Sequence, residues 1–426
     1  MEVKAGYKQT EAGVIPEEWK YSTVGELVRD GVLEKPLDGN HGNIHPKSGD
    51  FVSFGIPFVM ANNIREGRVD LKNCTFIKKE QSDSLQKGFS RSGDVLLTHK
   101  ATIGNTAVVG NIPFEYLMLT PQVTYYRVSN AERLSNLYLR QFFDGSFFQS
   151  TLRSMSGGGT RAYIGITAQL QLPVVIPSTK AEQDSIAEAL SDADALIESL
   201  DQLITKKRQI KQGAMQELLT GKRRLPGFSG EWEVKRLADL ADIRSGGTPS
   251  TAQPQFWDGG VKWCTPTDIT ALDGFKYLSN TARTISAEGL KASSAEIIPK
   301  HSIVMTSRAT IGECAINTVP MTTNQGFKNF VPFDSVDAEF LYYLLTTQRA
   351  GFIGLCSGST FLEIGKTQLS GYQVQVPKTK SEQTAIATIL SDMDTELAAL
   401  ESRLAKARQL KQGMMQELLT GRIRLL

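Results

Sequence analysis

The feature that most constrains this chain is a segment that occurs twice. The stretch KQGAMQELLTG at residues 211–221 returns as KQGMMQELLTG at residues 411–421. Residues 179–225 align with residues 379–425 without a gap, and more than half of the aligned positions are identical. Upstream, KATIGNTAVV is echoed by RATIGECAIN, and EEWKYSTVGEL by GEWEVKRLADL. The chain therefore follows one plan twice, a variable segment and then a repeated segment.

Both repeated segments have the apolar periodicity of a long helix. A proline precedes each of them, a capping residue (Ser178 or Thr179 in the first copy, Thr379 in the second) lies near a first-turn acid, and Gly221 and Gly421 lie where helices commonly end. A helix of about 40 residues would be about 60 Å long, too long to bury its apolar seam in a small domain. Each helix therefore requires a partner helix. The predicted seam, at steps of three and four residues, comprises Ile186, Leu190, Ile197, Leu200, Ile204, Ile386, Leu390, Met393, Leu397, Leu400 and Leu404.

The charge pattern of these helices predicts how they pair. Both have acidic residues in the N-terminal half and basic residues in the C-terminal half, an order that also suits the helix dipole. Parallel pairing would place like charges side by side, whereas antiparallel pairing places each acidic half beside a basic half. We predict an antiparallel two-helix coiled coil with an internal pseudo-two-fold repeat. The alternative, that the charge order serves each helix separately, would leave both seams unburied.

The variable segments mix β-rich runs, such as GDVLLTH and SIVMTSR, with helical patterns such as ERLSNLYLRQFF and AEFLYYLLTTQR. This mixture predicts an α+β globule of about 150 residues in each half. The predicted architecture is an α+β protein whose two globular domains are separated by the coiled coil. Its parts are a first domain at 1–178, a central repeated helix at 179–225, a second domain at 226–378 and a C-terminal repeated helix at 379–426.

Composition excludes several classes of protein. The chain of 426 residues is 40% hydrophobic and 22% charged, and no run approaches the length and apolarity of a membrane span. The first residues lack the apolar core of a signal peptide, so we expect a cytoplasmic protein. The four cysteines have no paired spacing, which argues against a disulfide framework or a zinc site. The net charge of +2 neither requires nor excludes a polyanionic partner.

The sequence contains no complete catalytic motif of a common kind. The sequence IGKT at 364–367 lacks the glycine that a phosphate loop places five residues earlier, where Thr360 stands. His41 and His45 are four residues apart, but HGNIHP contains glycine and proline and lacks the glutamate of HExxH, so a surface loop is the better interpretation. No amino-methyltransferase tetrapeptide or nuclease centre is evident. The sequence predicts a binding protein without catalytic residues or a metal site.

Several loops have the composition of nucleic-acid contacts. LTHKATIGN, GGGTRAYIG, IRSGGTPST, TSRATIG and TTNQGFKNF combine cationic side chains, small hydroxyl residues, glycines and amides. Such loops are also ordinary turn material. Their recurrence at equivalent places in both halves favours the functional interpretation.

The repeat also carries a family resemblance. The EQ pair that opens each helix, the MQELLTG that closes it, and SGGTPST followed by FWDGGVKWCTPTDI resemble the specificity subunit of type I restriction-modification enzymes, over essentially the whole chain. The resemblance implies two target-recognition domains, each reading one half of a split, asymmetric sequence in double-stranded DNA. It also implies that the helices dock two methyltransferase subunits and that restriction and motor subunits join the complex. S-adenosylmethionine, ATP and magnesium would be held by those partners, and this chain would carry no cofactor.

The resemblance also indicates which residues contact DNA. Cations would serve phosphates or guanine, and the amide of Asn324 or Gln325 could pair with adenine. In the first domain KPLDGNHGNIHPKS replaces the SGGTPST of the second, so Thr248 has no counterpart there. A protein-protein scaffold whose end domains bind proteins or ligands remains the alternative, and an enzyme with an unfamiliar site is a third possibility. The candidate DNA-binding residues are Lys100, Thr102, Arg161, Tyr163, Arg244, Thr248, Arg308, Thr310, Asn324, Gln325 and Lys328.

Overall fold

The computed structural model describes residues 5–157, 162–356 and 362–425. The chain forms two compact units, and the first of them is discontinuous in sequence. The first unit comprises residues 1–201 together with 402–426, and the second comprises residues 202–401. Each unit thus contains one variable segment, the N-terminal half of one long helix and the C-terminal half of the other.

The first unit is a mixture of short strands and helices, as the sequence predicts. Its core contains the buried aromatic residues Trp19, Tyr126, Tyr138, Phe143 and Phe148. Its strands are β1 (Tyr7–Thr10), β2 (Gly13–Pro16), β3 (Lys20–Thr23), β4 (Leu37–Asp38), β5 (Phe51–Val52), β6 (Ile56–Val59), β7 (Ile64–Arg65), β8 (Arg68–Val69), β9 (Thr75–Ile77), β10 (Phe89–Ser90), β11 (Val95–Lys100), β12 (Thr102–Val108), β13 (Leu117–Leu119), β14 (Val123–Tyr126) and β15 (Pro173–Ile176). Its helices are α1 (Val24–Arg29), α2 (Lys79–Asp83), α3 (Asn136–Asp144), α4 (Ser146–Met155) and α5 (Ile166–Gln169). The first long helix, α6 (Lys180–Leu218), begins in this unit.

The second unit repeats this plan with different details. Its strands are β16 (Glu233–Arg236), β17 (Ala241–Ser245), β18 (Trp257–Cys264), β19 (Tyr277–Leu278), β20 (Arg283–Ile285), β21 (Ile303–Thr306), β22 (Cys314–Asn317), β23 (Thr322–Thr323), β24 (Phe327–Pro332) and β25 (Gln373–Val376). Its helices are α7 (Pro266–Thr270), α8 (Ala287–Lys291), α9 (Ala338–Thr347), α10 (Arg349–Gly354) and α11 (Lys366–Ser370). The second long helix, α12 (Lys380–Leu418), begins here and ends in the first unit.

Two sheets in each unit position the loops that matter below. In the first unit they have the strand orders β12-β11-β14-β4 and β10-β13-β6-β9-β5. In the second unit they have the orders β17-β24-β21-β22-β19 and β20-β18-β23. In the first sheet the turn of the β11–β12 hairpin lies at the same end as the start of β14, because Thr98 pairs with Val123. In the second unit the loop after β21 and the loop before β24 likewise share one end of the sheet, because Thr306 pairs with Phe327.

The long helices are 39 residues each and begin as the sequence predicts. The hydroxyl of Thr179, and not that of Ser178, caps α6 by accepting a hydrogen bond from the Glu182 amide at 3.2 Å, and Thr379 does the same for Glu382 at 3.4 Å. Gly221 and Gly421 each adopt φ +69°, the left-handed conformation typical of the turn after a helix.

Within each unit the two half-helices run antiparallel. In the first unit, Arg408 contacts Asp201 at 2.9 Å and Lys411 contacts Asp194 at 2.5 Å. The second unit repeats the acid-to-base pairing between α12 and α6, through Arg208–Glu401 at 2.6 Å, Lys207–Glu396 at 2.6 Å and Lys211–Asp394. The prediction of an antiparallel pair based on charge order is confirmed, and so is the mixed α+β fold class.

The predicted seam residues lie in two environments. Ile186 and Leu190 pack into the core of the first unit, and Ile386 and Leu390 into the core of the second, so the first turns of each helix are fused to a globular core. Farther along, Leu200, Ile204, Leu397 and Leu404 are buried, whereas Ile197, Met393 and Leu400 are half-buried.

The glutamate of each repeated EQ pair belongs to one contact set that occurs twice. In the first unit Arg424 donates from Nε and Nη2 to the two oxygens of the buried Glu182 carboxylate, the Nη2–Oε2 distance being 2.9 Å, and the Trp19 indole donates to the same carboxylate at 3.2 Å. In the second unit the same set consists of Arg224, Glu382 and Trp232, with arginine–carboxylate distances of 2.6 and 2.8 Å. We call each set an arginine clasp.

The glutamine of each EQ pair holds a helix of the variable segment. The Gln183 side-chain oxygen accepts a hydrogen bond from the Ser135 amide at 2.8 Å, just before α3. Gln383 does the same for the Asp337 amide at 2.9 Å, just before α9. Each EQ pair therefore holds two elements at the start of its long helix. The glutamate binds the arginine that follows the partner helix, and the glutamine binds the residue just before α3 or α9.

None of the helices in the described ranges is both long enough and apolar enough to pass through a lipid bilayer.

Candidate functional site

The turn between β11 and β12 carries the candidate residues of the first unit. Lys100 and Thr102 are exposed at either side of Ala101, which adopts φ +66°. Tyr163, 46% exposed, forms an antiparallel bridge with Lys100, whose ammonium lies 5.8 Å from the centre of the tyrosine ring. The structure thus brings Lys100, Thr102 and Tyr163 together, while the fourth candidate, Arg161, lies outside the described residues.

The second unit has an equivalent turn with different chemistry. Arg308 and Thr310 flank Ala309, which adopts φ +56°. Arg308 bridges Glu363, and their side chains form an ion pair at 2.8 Å. An acid therefore stands where the first unit has Tyr163, so the two turns share a left-handed alanine but have different side-chain partners.

A second group of candidates gathers beside this turn. The Thr248 hydroxyl is hydrogen-bonded to the side-chain oxygen of Gln325. The Asn324 side-chain oxygen accepts a hydrogen bond from the Gly326 amide at 2.9 Å, and the Gly326 carbonyl accepts one from the Ser307 amide at 2.7 Å. The loops around residues 248, 324 and 308 are thus joined by hydrogen bonds into one surface, which we call the amide loop cluster.

The loop that carries Thr248 is held by two tryptophans that the candidate set did not include. The Trp263 indole donates to the Gly247 carbonyl at 2.9 Å, and the Trp257 indole donates to the Ser250 carbonyl at 3.2 Å. A side chain at Gly246 would overlap the backbone carbonyl of Asn324. These contacts join residues far apart in the sequence. The WCTP motif indicated the family resemblance, but the sequence did not show that its tryptophan supports the loop of Thr248.

Two other candidates are less accessible than the sequence suggested. Lys328 is buried, its ammonium lies 3.4 Å from the Ser307 hydroxyl and 3.9 Å from Glu363, and burial lowers its pKa. Arg244 is one-third exposed and pairs with Asp242 at 2.8 Å. Lys328 supports the turn from beneath through Ser307 and Glu363, whereas Arg244 lines a separate cleft with Ser245, Gly246 and Lys366.

The first unit contains a charged cluster beneath its turn that was not anticipated. The Asp38 carboxylate is buried, is paired with Lys87, and accepts a hydrogen bond from His41 Nε2 at 2.7 Å. His99 is fully buried, its Nδ1 lies 2.9 Å from the Ile164 carbonyl, and its Nε2 lies 3.9 Å from Asp38. Burial lowers the pKa of His99. His41 to Ile44 are exposed, as expected for a surface loop, while Asp38 at the start of the same KPLDGNHGNIHPKS segment is buried in this cluster.

Among the described residues, no group of three or more histidine, cysteine, aspartate or glutamate side chains is arranged to hold a metal ion.

Comparison with known proteins assigns this fold to a family. The family model for the type I restriction modification DNA specificity domain matches residues 16–211 and again residues 229–409. The chain belongs to this specificity family. The resemblance drawn from the repeated helix ends is confirmed, and the two matches follow the internal repeat.

Individual specificity subunits resemble the chain to different extents. It is 39% identical over 166 residues to the type I restriction enzyme MjaIX specificity subunit of Methanocaldococcus jannaschii, an alignment that covers 38% of each chain. It is 25% identical over 267 residues to the EcoR124I/EcoR124II specificity subunit of Escherichia coli, covering 60% of this chain and 63% of that one. A putative MjaX specificity subunit of M. jannaschii aligns over 98% of this chain and 96% of its own length at 23% identity.

Solved structures of the family share the fold. The S subunit of a type I restriction-modification system from M. genitalium covers 98% of both chains with a TM-score of 0.60 at 13% identity. A structure described under complex assembly and conformational transition of the type I R-M system matches with a TM-score of 0.56 at 18% identity, covering 96% of this chain and 99% of that one.

Proposed function

We propose that this protein is the sequence-specific DNA-recognition subunit of a type I restriction-modification complex, without catalysis of its own. The observation that carries the proposal is the pair of equivalent exposed turns, Lys100–Thr102 and Arg308–Thr310, set among different neighbours in the two units of a specificity-family chain. A repeated backbone with different side chains is what a reader of two different half-sites requires.

Each turn combines groups suited to DNA. Exposed Lys100 and Arg308 supply charge for phosphates or guanine, and Tyr163 supplies an aromatic face. The amide loop cluster adds Gln325 and Asn324, whose side chains suit the edge of adenine. We propose that the first unit reads one half of a bipartite, asymmetric site and that the second unit reads the other.

We further propose that the near-identical helix ends dock two identical methyltransferase subunits, with restriction and motor subunits joining them. S-adenosylmethionine, ATP and magnesium would then be held by the partners. An exposed apolar surface supports docking at the second helix end, because Leu410 is 62% exposed and lines a mostly apolar groove with Gly413, Met414 and Ile423. Since its partners act on the chromosome with intracellular cofactors, we place the complex in the cytoplasm.

A domain exchange tests the proposal. Residues 20–178 are replaced by the corresponding segment of another family member, the chain is assembled with its methyltransferase, and the methylated sequences are read by sequencing. One half of the recognised site is expected to change while the other half is kept. The reciprocal exchange of residues 226–378 is the matched control and should change the opposite half. Loss or alteration of both halves in either exchange contradicts the proposal.

A scaffold that binds proteins through its variable segments is the competing function. Salt separates the two, because binding that replaces phosphate counterions weakens steeply as salt rises. We expect the dissociation constant of the assembled complex for its target duplex to rise by at least about tenfold between 50 and 200 mM salt. Affinity that is insensitive to salt would favour the scaffold.

A further inference from the structure

A cleft of about 370 Å³ opens beside Lys100 in the first unit. Its walls come from the KPLDGNHGNIHPKS segment, from strands β5 and β6, and from the turn between β13 and β14. The second unit has SGGTPST in place of that segment, so the cleft belongs to the segment in which the two halves differ. Its lining includes His45, Phe51, Phe58, Lys100, Thr120 and Gln122.

Two polar atoms in this lining have no hydrogen-bond partner within the described part of the chain. They are the hydroxyl of Thr120, a residue only 4% exposed, and Nδ1 of His45, and both atoms are shielded from solvent. Buried polar atoms in proteins are nearly always paired, because leaving them unpaired is costly. Two such atoms in one cleft offer a polar ligand two hydrogen-bonding positions.

The other walls suit a flat aromatic ligand. The His45 and Phe58 ring centres are 5.5 Å apart at an interplanar angle of 45°, and those of Phe51 and Phe58 are 6.0 Å apart at 53°. Burial lowers the pKa of His45, so its ring is neutral near pH 7 and offers one donor and one acceptor nitrogen. Thr120 adds a hydroxyl that can donate or accept, and Gln122 adds an amide. Apolar rings around a few hydrogen-bonding groups form the usual receptor for a heterocycle.

The position of the cleft indicates which heterocycle it takes. Lys100 belongs both to the cleft lining and to the exposed turn with Tyr163, so a ligand in the cleft would lie against the surface proposed to meet DNA. A nucleobase has the flat apolar faces and the polar edge that this lining matches, and its phosphate would meet the Lys100 ammonium.

We propose that this cleft, which we call the base cleft, binds a nucleobase, and that in the assembled complex the base is one extruded from the first half-site. The inference rests on the proposed DNA-recognition function. It implies that the two units read DNA differently, because the first draws a base out of the stack while the second reads through the amide loop cluster.

Mismatched duplexes test the extrusion. A mismatch lowers the cost of extruding a base, so a protein that extrudes it binds the mismatched site more tightly. The complex with its methyltransferase is titrated with duplexes that carry a single mismatch at each position of both half-sites. The docked methyltransferases extrude their own target bases, so a mismatch at those positions is expected to tighten binding in both half-sites. We expect one further position, in the first half-site only, at which the mismatch tightens binding about fivefold or more.

The assignment to the cleft is tested with Thr120→Val, which removes the unpaired hydroxyl at nearly constant volume. The mismatch advantage at that further position should disappear in this variant, while its thermal unfolding stays as in the parent chain. Thr124→Val is the matched control, because Thr124 is also buried with an unpaired hydroxyl in the same unit but does not line the cleft. The control should keep the mismatch advantage.

Free nucleotides show whether the cleft takes its base from DNA or from a nucleotide in solution. Saturation-transfer NMR with the four deoxynucleoside monophosphates on the assembled complex would show binding that Thr120→Val abolishes if the cleft accepts a base from solution. Such binding without a mismatch effect would support the nucleobase and assign it to a free nucleotide. If the complex binds DNA normally but shows neither a mismatch advantage nor nucleotide binding, the base cleft is overturned while the proposed DNA recognition stands. Water would then be the occupant of the cleft. Absence of DNA binding would instead defeat the proposed function, and the nucleotide titration would still decide the cleft.

Discussion

At the residue scale, the arginine clasp explains why single positions in the repeat are kept. Glu182 is buried and would be an uncompensated charge without Arg424, and Glu382 depends on Arg224 in the same way. Gly421 completes the first clasp, since a side chain there would overlap Pro16. The same few contacts therefore close each unit where a helix begins and where its partner helix has just ended.

Arg424→Met should lower the free energy of unfolding of the first unit by about 3 kcal/mol, because it leaves the buried Glu182 carboxylate unpaired. The measurement is urea unfolding monitored by the fluorescence of the tryptophans. Arg422→Met serves as the control, since Arg422 is exposed and its guanidinium pairs with the surface residue Glu417 at 3.4 Å, and it should cost less than about 0.5 kcal/mol. Equal losses in the two variants would show that the clasp does not stabilise the fold.

The buried His99 makes stability depend on pH. Its pKa is lowered by burial, so the unfolded chain takes up a proton at a higher pH than the folded chain does. The stabilisation is therefore complete above the ordinary histidine pKa of about 6.5 and is lost as the pH falls below it. His45 shifts in the same direction for the same reason.

We expect the free energy of unfolding of the first unit to fall between pH 7 and pH 5.5, with a slope of at most about 1.4 kcal/mol per pH unit for each imidazole. Urea titrations at four pH values would measure the slope. In His99→Gln the slope should become shallower. A slope that the substitution leaves unchanged would mean that other groups carry the pH dependence.

At the element scale, each long helix tolerates a glycine in its interior. Gly213 and Gly413 lie five residues before the helix ends, and a side chain at either would meet nothing within 4 Å. Glycine in a helix interior is less favourable than alanine by about 1 kcal/mol. The helices therefore give up stability at the same place in both copies.

Gly413→Ala should raise the free energy of unfolding of the isolated chain by about 0.5–1 kcal/mol, as the helix loses its most flexible residue. Thermal and urea unfolding would measure the gain, and Gly213→Ala should match it in the second unit. Gly421→Ala is the opposite control and should destabilise the chain, because Gly421 has a positive φ and lies against Pro16. No gain at Gly413 would show that the helix is already distorted there.

The loop that carries Thr248 depends on Trp263. Trp263→Phe keeps an aromatic ring but removes the hydrogen bond to the Gly247 carbonyl, worth about 1 kcal/mol. The assembled complex should then bind its target about fivefold more weakly and discriminate less well at the second half-site. Competition binding with base substitutions in each half-site would measure both effects. Equal loss of discrimination in the two half-sites would contradict a local role.

The helices were predictable and the candidate site largely was not, for a physical reason. Periodicity and charge order are local, so α6, α12 and their antiparallel arrangement follow from the sequence. The turns at Ala101 and Ala309 were also correctly paired, because the repeat marks them. The supports of Thr248 from Trp263 and of Arg308 from Glu363 join distant positions, and no pattern in the sequence links them. The burial of Lys328 could not be predicted from the sequence for the same reason.

At the scale of the whole molecule, the chain interleaves its two units. The second unit is the continuous stretch 202–401, whereas the first is assembled from residues 1–201 and residues 402–426. Removal of the last segment therefore affects the units unequally. It takes from the first unit the half-helix that contributes Arg408 and Lys411, together with the arginine that closes its clasp.

A chain that stops after residue 401 should keep the second unit folded and open the first. Hydrogen exchange followed by mass spectrometry would measure this, with peptides of 302–332 retaining the protection seen in the full chain and peptides of 180–201 losing it. The full chain carrying Arg424→Met provides an intermediate control, because it loses the clasp and keeps the half-helix. Uniform loss of protection across both units would contradict the division into two compact units.

Because the first unit is discontinuous in sequence, the order of synthesis also sets the order in which the two units can complete their folding. During synthesis, residues 1–201 leave the ribosome earliest, yet their closing segment is made only after the whole second unit has been translated. The part of the protein that emerges first is thus the last to close, and until then Glu182 has no arginine to meet and the seam from Ile186 onward has no partner helix. A chain interrupted after residue 401 but before Arg424 carries a first unit without its clasp beside a finished second unit, so the first arginine clasp forms only after the second unit has been made.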